Sequence, residues 1–150
     1  VKYFSSEMGD TELRFRIDRT DIPKEVWKQI DFRERFEDFS EGIDPNAINI
    51  IDYIEIFENA YMIGKHIKDV FDKLKSGIAI IAIQKDPKRT QGTGGMYSMH
   101  KSRLYLNIDY EQLQIVKCKN KRYMESNIRD QKIKFKISRG ILVKDSEWFK

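Results

Sequence analysis

In the stretch Asn49-Ile50-Ile51-Asp52-Tyr53, Asp52 ends a short run of mainly apolar residues. A carboxylate inside an apolar run is costly unless a partner or a metal compensates it. At the carboxyl end of a parallel strand, the same group meets the crevice where α/β sheets bind ligands. Nucleotide-hydrolysing folds put a magnesium-holding acid there. The plainer alternative is a strand that ends in a polar residue. Three other features stand at strand ends or in loops: Glu7, Gln84, and the pair Lys117 and Lys119. Residues two apart on a strand share a face, so the two lysines would point the same way. The stretch from Lys85 to Arg103 carries Lys85, Lys88, Arg89, Lys101 and Arg103 around Gly92, Gly94 and Gly95. Spaced cations on a glycine-bearing loop can track a phosphodiester backbone with little regard to base sequence; an ordinary surface loop is the alternative. His66 and His100 have no partners at metal-ligand spacing, and Cys118 reads as a small packed residue rather than a nucleophile.

The surrounding patterns predict the elements that hold these residues. Val1 to Phe4 reads as a strand, and Asp10 or Thr11 can cap a helix to about Arg19 with Leu13, Phe15 and Ile17 on its apolar side. Pro23 opens a short helix to Ile30. Phe32, Phe36 and Phe39 recur at helical spacing in a charged segment, which Asp44-Pro45-Asn46 breaks. Ile48 to Ile51 is a strand. Tyr61 to Lys75 is a helix with Ile63, Ile67, Val70, Phe71 and Leu74 as one stripe, and Gly77 is placed to cap it. Ile78 to Ile83 is six apolar residues without alternation, as in a strand covered on both faces. Strand, helix and strand make a βαβ unit with a parallel sheet. Beyond the polar loop the period becomes two, at Leu104/Leu106/Ile108, Leu113/Ile115, Ile133/Phe135/Ile137 and Ile141/Val143. These predict an antiparallel β-meander.

The chain has 150 residues, enough for one domain with a real core, and 35% of them are charged. Residues 1–60 hold 8 Lys/Arg against 15 Asp/Glu, and residues 61–150 hold 20 against 9, so the balance swings from −7 to +11. A basic second part favours a polyanionic partner. No apolar run approaches the roughly 18 residues of a membrane span, and no secretory pattern opens the chain. With a single cysteine, an intracellular, cytoplasmic location is the expectation. A sequence that begins at Val1 in mid-strand reads as an N-terminally truncated piece of a longer protein.

Taken in order, these motifs resemble the ATPase core of the RecA-like superfamily, including the DnaB-like replicative helicases. Lys2-Tyr3-Phe4-Ser5-Ser6-Glu7-Met8 is similar to the helicase strand ending in Phe-Ser-x-Glu-Met. Ile50-Ile51-Asp52-Tyr53-Ile54 resembles the Walker B strand, and Ala82-Ile83-Gln84 the sensor strand. Gly94-Gly95, Ser102-x-Leu104 and Ile115-Val116-Lys117-Cys118-Lys119-Asn120-Lys121 resemble the DNA-binding loop and the segment after it. The resemblance spans roughly residues 1–143. It implies ATP and magnesium as cofactors, single-stranded DNA as partner, and a ring or filament of identical subunits. Glu7 would orient or deprotonate the attacking water, Asp52 would hold magnesium, and Gln84 would sense the γ-phosphate. Lys117 and Lys119 would reach the neighbouring subunit's nucleotide, Lys119 replacing the arginine of DnaB-like helicases. Lys85, Lys88, Arg89, Gly94, Gly95, Lys101 and Arg103 would bind DNA.

The family's phosphate loop, Gly-x-x-x-x-Gly-Lys-Ser/Thr, occurs nowhere in this sequence. The resemblance places it just ahead of the first strand. Without that cradle, this polypeptide by itself is expected to bind ATP poorly and hydrolyse it negligibly. A non-catalytic nucleic-acid-binding α/β module is the rival expectation, and a structural protein that keeps only the fold is a third.

Overall fold

A computed structural model of the chain describes residues 1–119, 128–138 and 141–150, with the backbone alone at 141 and 142. The motif residues Asn120 and Lys121 lie outside the described residues. The elements in order are β1 (Lys2–Ser5), α1 (Asp10–Asp18), α2 (Lys24–Trp27), β2 (Asp31–Glu34), α3 (Phe39–Gly42) and β3 (Ile48–Asp52). A first 3₁₀ turn (Ala60–Met62) leads into α4 (Ile63–Lys73) and β4 (Ile78–Ile81). A second 3₁₀ turn (Gly95–Met99) precedes β5 (Leu104–Asp109), β6 (Gln112–Cys118), β7 (Lys132–Ser138) and β8 (Ile141–Lys144). The fold is mixed α/β. Strands β2-β1-β3-β4 form a parallel sheet, and β5-β6-β7-β8 form a separate antiparallel sheet.

Pleating sends Phe4, Ile51, Ala79 and Ile81 to one face of the parallel sheet, where α3 and α4 cover them. Phe4, Phe39, Ile43, Ile51, Ile54, Ile63, Ile67 and Val70 form the core. The helical stripe predicted for α4 supplies its half of that core, but Phe71 is partly exposed, with the Lys101 ammonium 5.2 Å from its ring centroid. Tyr3, Phe32, Ile50 and Ile80 point to the other face, where Tyr3 and Phe32 stack at 5.6 Å.

The connection from β1 leads outward to β2, and that from β3 leads the opposite way to β4. The gap between the carboxyl ends of β1 and β3 is therefore the sheet's topological switch point, where doubly wound α/β sheets form their binding crevice.

Four local expectations need correction. Phe32 lies in a strand, β2, although its spacing to Phe36 and Phe39 is helical; pairing with β1 overrides the pattern. The apolar side predicted for α1 buries nothing, and Phe15 is exposed. Gly77 is not a helix cap. Leu74 takes that position in extended conformation, and Gly77 is needed because a Cβ there would meet the Pro45 and Ala47 backbone. Finally, β4 is an edge strand with Ile78 and Ile80 52% and 55% exposed, rather than a strand covered on both faces.

Candidate functional site

The carboxyl ends of β1 and β3 are stitched together by backbone and serine contacts. The Ser6 amide donates to the Asp52 carbonyl at 3.0 Å. The Ser6 hydroxyl donates to the Tyr53 carbonyl at 3.0 Å and accepts from the Tyr53 amide at 3.2 Å. The Ser5 hydroxyl accepts from the Met8 amide at 2.8 Å, turning the chain at the strand's end. The peptide joining Asp52 to Tyr53 is cis. Two residues singled out from sequence, Glu7 and Asp52, are thereby brought to one crevice.

Two tyrosines hold the acids. The Tyr3 hydroxyl donates to Asp52 Oδ2. Burial, then the bond to Asp52 and its negative charge, push the Tyr3 phenol well above its ordinary value, with Arg16 opposing. The Tyr53 hydroxyl lies 3.1 Å from Glu7 Oε1 and 3.2 Å from Glu55 Oε1. A phenol has one proton, so the two carboxylates compete for it. Burial first, and then these two acceptors, push Tyr53 up to about 12. Sequence reasoning missed Tyr3, Tyr53 and Glu55 as site residues; only the proximity of Tyr53 to Asp52 signalled any of them.

The raised phenol fixes the sign of an alkaline effect. The neutral hydroxyl is favoured in the folded chain, so its contribution is complete below the ordinary value of 10.0 and is lost as pH rises through about 12. Phenolate absorbance should show a late-titrating step that shrinks in Tyr53→Phe. An unchanged titration in that variant would contradict the arrangement.

A single carboxylate flanked by polar groups suits magnesium, which keeps much of its water and takes further ligands from phosphates. Asp52, half-exposed at the crevice, fits that mode. Among the described residues, no group of three or more His, Cys, Asp or Glu is placed to hold a metal ion.

Gln84 follows β4, the next strand along the sheet, and its side chain is exposed. The Gln84 carbonyl accepts from the Thr93 amide at 2.8 Å and the Thr93 hydroxyl at 3.1 Å, closing the base of the loop. Of the loop cations, Lys85 is neutralised by an ion pair with Asp109 and also donates to the Arg89 carbonyl at 3.1 Å. That ammonium holds the Asp109 carboxyl below the usual carboxylate range. Lys88 and Arg89 are exposed on a turn closed by Asp86, and Arg103 is exposed at its own position. Lys101 lies over Phe71.

The loop is not the loose coil its glycines suggest. Gly94 and Gly95 have φ of +84° and +56°, and a Cβ on Gly94 would strike the Ala60 carbonyl and Ile63. The Tyr105 hydroxyl accepts from the Gly92 amide at 2.7 Å and lies 2.8 Å from the buried Ser98 hydroxyl. Lys117 Nζ donates to the Met99 carbonyl at 2.6 Å and approaches Ser102 Oγ at 3.3 Å. Burial, then the charge of Lys119, lower the Lys117 amine below its ordinary value. The structure thus pins Lys117 to the loop, while Lys119 is exposed just past β6, its amide donating to the Arg103 carbonyl at 2.8 Å. Both lysines belong to the antiparallel sheet and its border, whereas Glu7 and Asp52 border the parallel one.

No protein-family model and no curated protein matches the chain. No helix among the described residues is long and apolar enough to cross a membrane.

Proposed function

We propose that the chain is part of a RecA-like, DNA-dependent ATPase acting in DNA replication or recombination, in which ATP hydrolysis is coupled to single-stranded DNA binding. One observation carries this reading. Glu7, Asp52 and Gln84 follow or end the neighbouring parallel strands β1, β3 and β4 at one carboxyl edge, with Glu7 and Asp52 astride the switch point. In that arrangement Glu7 activates water, Asp52 binds magnesium through its hydration shell, and Gln84 reports the γ-phosphate to the loop that its own carbonyl anchors.

The edges of the parallel sheet support the same reading. Edge strand β2, Asp31-Phe32-Arg33-Glu34, carries three charges, and Asp31 pairs with Lys2 and Arg33. Charged edges discourage further pairing. Edge strand β4, Ile78-Ala79-Ile80-Ile81, carries none and is built like an internal strand. A further strand bearing the phosphate loop would cover it. The proposed oligomer, ring or filament, would bring Lys117 and Lys119 to a neighbour's nucleotide. The resting bond from Lys117 to the Met99 carbonyl favours the second reading, a nucleic-acid-binding module without chemistry.

Two assays test the proposal. ATP turnover should appear in the polypeptide extended to include a phosphate loop and should depend on Glu7 and Asp52. On this chain, Lys88→Ala combined with Arg89→Ala should weaken binding to a labelled oligothymidylate. The slope of log affinity against log salt should flatten by about 1.4, since each lost phosphate contact on a single strand removes about 0.7. Unchanged affinity and slope would remove these two cations from the interface.

A further inference from the structure

The region beside the glycine loop presents a group of exposed apolar side chains that charge and phosphate chemistry leave unexplained. Tyr61 in the first 3₁₀ turn and Tyr97 in the second are 57% and 52% exposed, with ring centroids 6.5 Å apart and planes at 64°. Met96, in the second turn, is 71% exposed. We infer that Tyr61 and Tyr97 form a stacking platform for unpaired nucleic-acid bases, so that the loop cations hold phosphates while the two rings hold bases. This inference rests on the single-stranded DNA reading and extends it to two aromatic residues, Tyr97 within the cationic loop and Tyr61 outside it.

Close backbone contacts and hydrogen bonds fix where the rings sit. Gly94 lies against the Ala60 carbonyl, and a Cβ on Gly64 of α4 would come within 3.4 Å of the Tyr97 carbonyl. The segments around the two 3₁₀ turns therefore approach closely, with Gly94 packed on the Ala60 carbonyl and the Ile63 side chain. Ser98, next to Tyr97, is buried, and its hydroxyl donates to the Gly95 carbonyl at 2.7 Å and lies beside the Tyr105 hydroxyl. Tyr97 is thus anchored from one side and open on the other. Tyrosine loses little side-chain freedom on binding, so an anchored ring keeps most of its contact energy.

The choice of occupant follows from the company the rings keep. Lys88 and Arg89 are exposed in the same loop as Tyr97, and Arg103 is exposed at its far end. Residues 61–150 carry a balance of +11. An apolar protein partner would gain nothing from those cations. A polyanion with planar, π-faced bases uses both, because every base can stack whatever its identity while the backbone meets the positive charge. The relevant geometry is an edge-tilted pair, in which a base can lie on one ring and against the edge of the other.

Fluorescence anisotropy of a labelled oligothymidylate, measured across a salt series, tests the platform on this chain. Tyr61→Ala and Tyr97→Ala should each weaken binding about tenfold, with the salt slope unchanged because no phosphate contact is lost. Tyr97→Phe should restore the affinity lost in Tyr97→Ala, since it keeps the ring. Lys88→Ala with Arg89→Ala should instead change the slope. If both alanine variants bind like wild type while the cation variant is impaired, the platform is wrong and the loop reading stands. If wild type does not bind the oligonucleotide, the loop reading fails with it. If an alanine variant flattens the salt slope, its ring acts by positioning cations, and the stacking assignment is overturned. Circular dichroism of each variant separates lost binding from lost folding, and an unfolded alanine variant passes the decision to Tyr61→Leu and Tyr97→Leu, which keep apolar bulk without a π-face.

Discussion

Asp52→Asn and Glu7→Gln, made in the polypeptide extended to carry a phosphate loop, should each lower ATP turnover at least about a hundredfold: for Glu7 that is the lower end of what a positioned general base contributes, and for Asp52 it matches the several kcal/mol a bound metal supplies. Both changes keep shape and remove charge. In Asp52→Asn the amide oxygen can still accept the Tyr3 hydroxyl, so the strand end keeps its contact while the magnesium-side charge disappears. In Glu7→Gln the amide oxygen can still accept from Tyr53, but an amide cannot take a proton from water. Thermal midpoints should therefore stay close to wild type while turnover falls. Nucleotide affinity separates the two. Loss of the magnesium-side acid should weaken magnesium-dependent binding, whereas loss of the base should leave it intact. Undiminished turnover in both variants would sink the assignment of these acids. Loss of turnover accompanied by loss of folding would instead make them structural.

The division between what the residues announced and what they hid follows the range of the forces involved. Strands β1, β3 and β4 were legible because short apolar runs bounded by polar breaks are local signals, and the meander was legible because its side chains alternate. Their carboxyl-end residues could be placed on one edge as soon as the strands were judged parallel. Strand β2 was not legible. Its charges obscure a pleat, and what makes it a strand is its pairing with β1 and the stack of Phe32 on Tyr3, 29 residues away in sequence by Cα pairing of Tyr3 with Phe32. The bonds that shape the site are likewise distant: Tyr3 to Asp52, Tyr53 to Glu7, Lys85 to Asp109 and Lys117 to Met99. No periodicity encodes them. Positive φ at Gly94 and its missing side chain let the loop pack directly on Ala60, a contact between distant segments.

The position with the largest expected effect on stability is Asn49, which sequence reading treated only as part of the strand that leads to Asp52. Its side chain is fully buried. Asn49 Oδ1 accepts from the Asp44 amide at 2.8 Å, and the two Nδ2 protons are shared among the carbonyls of Asp44 at 2.9 Å, Ala47 at 3.1 Å and Ile78 at 3.2 Å. One amide thus ties the turn before β3 to the start of β4. Asn49→Ala should lower the unfolding free energy by about 3 kcal/mol, because each buried backbone group left without a partner costs about 1–3 kcal/mol. Some of that loss is softened because the Ala47 carbonyl also accepts from the Ile78 amide at 3.0 Å. Urea unfolding should show a lower midpoint with an unchanged slope. Asn49→Asp sharpens the test. The carboxylate still accepts from Asp44 but faces three carbonyl oxygens, so burial and repulsion raise its folded-state pKa above the unfolded value. Its stability should therefore improve as pH falls toward the ordinary aspartate range, where the protonated acid can donate again. A stability deficit in Asn49→Asp that does not shrink on acidification, measured against wild type at each pH, would show that the lost donor is not the cause. An Asn49→Ala chain within about 0.5 kcal/mol of wild type, the range of an ordinary surface change, would show that the turn and β4 are held by other means.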